Sequence, residues 1–390
     1  MESAESRWRR YGNYVLNNQL DKSEFVEITS SPYSGKYEKK LIAYYLPQFY
    51  QIAQNDLWYG RGFTEWTNSS KAVPQFEGHW QPHIPIDVGY YSLETTLPMH
   101  RQIDLAKMYG IYGFCFYYYW FTGGSRMMEK PINNWLMDKN IDFPFMLFWA
   151  NEDWTNNWGE AADIGTKTYS AKMTRDDVAK FVADILPFLR HKNYIAIGGK
   201  PHIIIYQPWK DPFLPEFINR IGDMIEDEMQ VRPHISLVFP DESPDTFDPR
   251  DFNADAAVEF NLHMKIRPDY VQQPIENDHV VNELAHVKQY DMVEFVSNKK
   301  YLYDTPFPVF RGTMTTFDNT ARRIYAGAYL YSLSPELYGE WLSDLLRTTD
   351  QEYVFISAWN EWAEGMHLEP DHKYGYAYLQ ASKDALENLT

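Results

Sequence analysis

The sequence predicts an α/β protein of the (β/α)8 TIM-barrel type, a single domain over residues 39–390 behind a short N-terminal extension over 1–38. Three observations predict it. Eight short apolar runs, rich in β-branched and aromatic residues, recur along the chain. Amphipathic segments with helical spacing lie between them. Polar and aromatic residues gather where the runs end.

Residues 1–38 are charged and then rich in Ser, Pro and Gly at SSPYSGKYEKK, which marks an extension. The first run is LIAYYL (41–46), followed by a helical pattern over 93–109 that stops at Gly110. YGFCFYYYW (112–120) is the second run and FPFMLFWA (143–150) the third, with a weaker helical stretch over 127–140 between them. Thr174 and Asp177 then form a capping pattern, and Val178, Phe181, Val182, Ile185 and Leu189 share one face of the helix that follows. HIIIY (202–206), a helix over 214–229 and HISLVF (234–239) come next. AAVEFNL (256–262) and FPVFRGTM (307–314) are separated by the long stretch 263–306, which carries a helical pattern over 281–297. Ser334-Pro335 opens the helix before the last run, YVFISAW (353–359), and turns Leu337, Trp341, Leu342 and Leu345 inward. The competing architecture is a doubly wound open sheet. Neither G-x-G-x-x-G nor G-x-x-x-x-G-K-[ST] follows the first run, which weakens its nucleotide-binding form.

A chain of 390 residues buries an ample core. Its single cysteine, Cys115, excludes an intrachain disulfide, and inside an aromatic run it reads as a small core residue. The formal charge of −18 argues against nucleic acid, whose affinity comes from Lys and Arg on phosphates. The longest apolar run, IYGFCFYYYWF (111–121), is too short and too aromatic to span a bilayer. MESAESRWRRYGNYVLNN has no apolar signal core, so a cytoplasmic location is expected, or a periplasmic or secreted one if a leader was removed. The histidines are scattered without metal-ligand spacing, and no G-x-S-x-G is present, so neither a metal site, a cofactor nor a serine hydrolase is expected. Oligomeric state is not legible.

In a barrel, chemistry sits where strands end. The positions there are Pro47-Gln48, Tyr118-Tyr119-Trp120, Asn151-Glu152-Asp153-Trp154, Tyr206-Gln207, Asp241-Glu242, Glu259 with Asn261, Asp318, and Asn360-Glu361. Amides and carboxylates bond hydroxyls while rings cover C–H faces, so this rim suits a neutral polyhydroxylated ligand, with an oligosaccharide or polysaccharide as the expected substrate. Tyr45, Gln48, Tyr118, Trp120, Asn151, Glu152, Trp154, Tyr206, Glu259, Asn360 and Trp362 are the candidate sugar-binding residues. The densest cluster is SAWNEWAEGMHLEPD (357–371). If the chain turns helically after the last strand, Glu361 and Glu364, three apart, point to one side. Two acids at one site suit glycosidic cleavage, one protonating the leaving oxygen and one acting as base or nucleophile. The plainer alternative is a solvated acidic helix start. For ANEDWTNNW (150–158) the alternatives are hydroxyl binding or a capped turn with packed tryptophans. GRGFTEWTN (60–68) either borders the cleft or packs down on Phe63 and Trp66.

AYYLPQFY (43–50), NDLWYGRGFTEWTN (55–68), FYYYWF (116–121), LFWANEDWTNNW (147–158) and WNEWAEGMHLEPD (359–371) together resemble the motifs of WbsX-like proteins, which are in turn similar to glycoside hydrolase family 99, the endo-α-mannosidases and endo-α-mannanases. The likeness runs over about residues 40–385. It implies a (β/α)8 barrel and retaining, metal-independent cleavage of a manno- or rhamno-configured polysaccharide by an endo-acting α-glycoside hydrolase. The family 99 motif E-W-x-E matches Glu361-Trp362-Ala363-Glu364. By that likeness Glu361 is the base that takes the proton of the sugar's own 2-hydroxyl, which closes a 1,2-anhydro sugar, and Glu364 is the acid and then the base. The first strand, Tyr45-Leu46-Pro47-Gln48, departs from the family 99 pattern. Some WbsX-like proteins are called glycosyltransferases of surface-polysaccharide synthesis, and this is the rival activity. No D-x-D and no basic diphosphate cradle is evident. A non-catalytic carbohydrate-binding barrel is the third possibility.

Overall fold

A computed structural model describes residues 3–18, 22–36, 38–76, 78–155, 169–208, 213–239, 247–260, 287–323 and 328–389. The apolar runs form strands β1 (Lys40–Tyr45), β2 (Ile111–Phe121), β3 (Phe145–Trp149), β4 (Lys200–Ile205), β5 (His234–Val238), β6 (Ala256–Val258), β7 (309–314, broken at Arg311) and β8 (Tyr353–Ser357). Pairing runs β1 to β6 in sequence order, then from β6 to Val309–Phe310, while Gly312–Met314 pairs with β8 and β8 with β1. Every one of these pairs is parallel, so the sheet returns on itself and the open, doubly wound alternative is excluded.

The break in β7 lets one short run serve both neighbours. Ala257 and Glu259 N–H donate to the carbonyls of Pro308 and Phe310, and Phe355 N–H donates to that of Arg311. Gly312 is required at the seam, because a Cβ there would stand 2.6 Å from the Glu259 carbonyl oxygen. The barrel interior is filled by rings. Tyr44 contacts Tyr117, Phe148, Phe260 and Phe355, with centroids 4.9–6.2 Å apart. Cys115 is buried, as expected.

Helices α1 (Ala4–Asn18), α2 (Ala53–Tyr59), α3 (Glu65–Lys71), α4 (Leu97–Met108), α5 (Glu129–Met137), α6 (Asp177–Leu189), α7 (Leu214–Met229), α8 (Met292–Ser297), α9 (Pro335–Thr348) and α10 (Ala377–Glu387) account for the helical patterns. α6 buries the five apolar residues that predicted it, and Asp177 accepts from Thr174 N–H and hydroxyl, at 3.0 and 2.6 Å. Ser334 caps α9 at Leu337 N–H. The pattern over 281–297 resolves differently. Residues 281–286 lie outside the described residues, Val287–Tyr290 is a strand paired with Ala328–Tyr331, and the helix begins only at Met292. The reason is local: Asp291 accepts from Glu294 N–H at 2.8 Å and so caps the helix there. Between β5 and β6 the described residues carry a single 3-10 turn, Pro249–Phe252. Asp241, Glu242, Asn261, Asn156, Asn157 and Trp158, and His263 lie outside the described residues.

The N-terminal segment is tied to the body. Tyr11 and Tyr14 hydroxyls donate to the carbonyls of Pro74 and His79, and Val26 exchanges backbone bonds with Tyr374 and Tyr376. Among the described residues no helix is long and apolar enough to cross a membrane.

Candidate active site

After β8 the chain makes a 3-10 turn, Trp362–Glu364, closed by Gly365 at φ +59°. Glycine fits there for two reasons: the left-handed φ, and a Cβ that would press within 3.0 Å of His83 and 3.1 Å of Asp318. The turn puts Glu361 and Glu364 on one side, as their spacing predicts. Both reach the same guanidinium. Arg322 Nη1 donates to Glu364 Oε1 at 2.5 Å, and Nη2 lies 3.3 Å from Glu361 Oε2. A third carboxylate completes the cluster, for Glu65 Oε1 takes both Nε and Nη2 of Arg322, at 2.8 and 2.6 Å.

Arg322 and Glu65 reach the site through capped turns. Arg322 follows the 3-10 turn Asn319–Ala321, which Asp318 caps by accepting from Thr320 N–H at 2.9 Å. The other oxygen of Asp318 accepts from Gln81 Nε2 at 2.6 Å and from His79 Nε2 at 2.7 Å. His79 Nδ1 takes the N–H of Gln75, so its proton sits on Nε2. Asp318, a strand-end candidate, therefore holds the Arg322 turn in place. Glu65 opens α3, whose Thr64–Thr67 capping box starts the helix inside the GRGFTEWTN stretch. Glu65 is wholly buried.

Glu361 is 5% exposed. Burial first, then Glu364, pushes its carboxyl well above the usual range, and Arg322 only partly offsets this. Burial also works against the charge of Arg322, but Glu65, Glu364 and Glu361 outweigh it and raise its pKa further. Burial thus favours a proton on Glu361, while Glu364 lies directly against the Arg322 guanidinium. Tyr119 is in electrostatic reach of Glu361, Glu152, Arg322 and Glu65, which places Glu152 and Glu361 at the same end of the barrel. The buried Tyr117 hydroxyl faces Glu361 and Glu364, and its hydrogen bond to Glu361 favours the ionised form of that carboxyl.

The structure separates the other candidates by strand parity. Tyr117 and Tyr119 point into the site, whereas Tyr118 and Trp120 point out to α6: Tyr118 meets Phe181 and Phe188, and Trp120 Nε1 donates to Asp184. Tyr45 likewise points outward and donates to Gln102 on α4 at 2.7 Å. Trp154 is 4% exposed, packed on Tyr119 and Phe121. Asn360 and Asn151 act as latches between neighbouring strand ends. Asn360 bonds both the N–H and the carbonyl of Leu46, and Asn151 does the same with Gln207. Glu259 spans the barrel seam, accepting from Gly312 N–H, Arg311 and the Tyr303 hydroxyl. Gln48 is buried with its amide oxygen unpaired, and Tyr206 is half-buried against Phe148 and Phe260.

Trp362 is fixed rather than open. It stacks on His367 with centroids 3.7 Å apart and donates to Glu369 at 2.6 Å. Glu369 also accepts from Trp359, Gln102 and Tyr91, and burial raises its carboxyl to about 7 against these four donors. Sequence reasoning missed Arg322 and Glu65 as members of the site. The signals available were an arginine pair in the loop after the seventh strand, just past Asp318, and a Thr-capped Glu in the first loop. Among the described residues no group of three His, Cys, Asp or Glu side chains is placed to hold a metal ion.

Residues 41–382 match the family model described as Glycosyltransferase WbsX, and the chain belongs to that family. It is 37% identical over 353 residues to the uncharacterized protein WxcX of Xanthomonas campestris pv. campestris (strain B100), a match covering 89% of this chain and 49% of the relative. The chain thus spans about half the length of the curated relatives it matches. Among solved structures, a glycoside hydrolase-like protein superposes with a TM-score of 0.54 at 14% identity, covering 93% of this chain and 98% of the other. The GH99 endo-alpha-mannosidase of Bacteroides thetaiotaomicron superposes with a TM-score of 0.54 at 12% identity, covering 91% and 98%. At that identity the likeness is one of fold.

Proposed function

We propose that this chain is a glycoside hydrolase that cleaves an O-glycosidic bond within a manno- or rhamno-configured polysaccharide, with Glu361 and Glu364 as its acid/base pair. The observation that carries this reading is the pair itself: two carboxylates at the carboxyl end of β8, joined by one guanidinium, with burial favouring a proton on Glu361. The E-W-A-E motif and the fold shared with a GH99 endo-alpha-mannosidase support it.

The roles follow the motif: Glu361 takes the 2-hydroxyl proton as that oxygen closes on C1, and Glu364 protonates the departing oxygen. In the empty site the proton favours Glu361. Substrate reverses this, because a 2-hydroxyl donating to Glu361 stabilises its ionised form and a glycosidic oxygen accepting from Glu364 stabilises the acid form. The test is leaving-group dependence. Glu364→Gln should lose about 10²–10⁴ in rate on a poor leaving group and much less on a good one, while Glu361→Gln should be slow on both. The opposite pattern would exchange the two roles. Full activity in both folded variants would remove the pair from catalysis.

The second reading is glycosyl transfer, favoured by the description of the family. New reducing ends from a polysaccharide in water, with no nucleotide sugar present, support hydrolysis. Turnover only with a nucleotide sugar supports transfer.

A further inference from the structure

The guanidinium of Arg322 is shared unequally. Its Nε and Nη2 both reach one oxygen of Glu65, at 2.8 and 2.6 Å; its Nη1 reaches Glu364 at 2.5 Å; and Glu361 is left with the long 3.3 Å contact. A planar fork held along one edge has its remaining N–H directions set. We propose that Arg322 is a positioning residue, anchored by Glu65, whose fork lies against Glu364 and in this way sets how the catalytic pair shares its proton.

The inference rests on Glu361 and Glu364 being the reactive pair. Its parts come from three separate elements: Glu65 from the start of α3, Arg322 from the turn after β7, and the pair from the turn after β8. Nothing local in sequence forces them together, so their meeting is a property of the barrel end. The charged and titratable groups facing the pair are Tyr117 and Tyr119 from β2, Glu65 from α3, Arg322, and Glu152 on the far side of Tyr119. Below the turn, Asp318 with His79, and His83, approach at Gly365. Among them Arg322 is the cation in direct contact with both members of the pair. Glu65 is wholly buried and spends one oxygen on two of its N–H groups. A carboxylate there restrains the cation from moving fully onto Glu361 and Glu364. Removing the cation and removing its anchor should therefore act in opposite directions.

The experiment needs no substrate. Side-chain carboxyl carbons of ¹³C-glutamate-labelled full-length protein are titrated by NMR, with Glu361 and Glu364 assigned by Glu→Gln variants. In R322Q the midpoint of the pair should rise by about 1–3 pH units, the scale of losing an opposite charge at this distance. In E65Q it should fall, because the like charge is gone and the guanidinium is free to lean onto the pair. R322K keeps the charge without the fork and should lie between wild type and R322Q. The inference is overturned if E65Q leaves the midpoint in place or raises it, or if R322K matches R322Q. Should R322Q fail to fold, E65Q decides alone. Failure to cleave any glycan would strike the proposed function and leave this titration standing, so the two can fail separately.

Discussion

Glu369→Gln tests whether burial or hydrogen bonding governs the network under the E-W-A-E turn. Glu369 Oε1 accepts from Gln102 and Trp359, and Oε2 from Tyr91 and Trp362. Glutamine presents one acceptor and one donor end. Its best placement turns the NH2 toward the Tyr91 hydroxyl, which has a lone pair to offer, and strands the Trp362 indole N–H. One stranded buried donor costs about 1–3 kcal/mol. Against this stands the charge. The folded carboxyl lies at about 7 against an ordinary 4.5, a displacement of about 3 kcal/mol. Because the fold holds this proton after the unfolded chain has released it, the wild type loses that stability as pH rises from about 4.5 through 7. The glutamine variant has no such slope. It should be less stable than wild type by about 1–3 kcal/mol near pH 5, and should match or exceed it near pH 8. Urea unfolding followed by tryptophan fluorescence at several pH values measures the difference. A deficit that grows with pH would mean the four donors hold the carboxylate ionised, and the argument from burial would be refuted.

Gly312→Ala should cost about 1–3 kcal/mol in the same unfolding assay, since the new methyl meets the Glu259 backbone at the barrel seam; a neutral result would mean the seam gives way freely. Trp154→Ala should lower stability by about 3–5 kcal/mol, because the ring is buried on Tyr119 and Phe121; a stable variant with weakened oligosaccharide binding would make it a sugar platform instead. His83 Nδ1 lies 2.9 Å from His367 Nε2, and His367 Nδ1 donates to the Glu369 carbonyl, so both rings are held neutral. Burial pulls His83 well below its ordinary value and His367 to about 4. Their contribution to stability is full above pH 6.5, where the unfolded rings are neutral too, and drains as pH falls toward 4. Ring-nitrogen NMR should show His367 titrating near 4, and a midpoint near 6.5 would refute the buried neutral pair.

The pattern along the chain determined the barrel. Strand and helix signals are local, carried by spacing of apolar residues, β-branching and caps such as Ser334, and they survive in the fold except over 281–297, where a strand precedes the shorter helix from Met292. The E-W-A-E spacing was legible for the same reason, since three residues of one short turn decide which way Glu361 and Glu364 face. Side-chain direction on β2 was not legible. A strand buried on both faces has no polar alternation to mark its inside, so Tyr118 and Trp120 looked as suitable as Tyr117 and Tyr119. Nor did the composition of the strand ends tell a free amide from a latch: Asn360 and Asn151 spend their amides on Leu46 and Gln207, partners distant in sequence. Only the closed ring of strands brings Glu65 and Arg322, 257 positions apart, onto one ion pair beside Glu361 and Glu364. Which carboxylate is buried, and which lies against the cation, is a matter of distance and solvent access, and those exist only once the chain has folded.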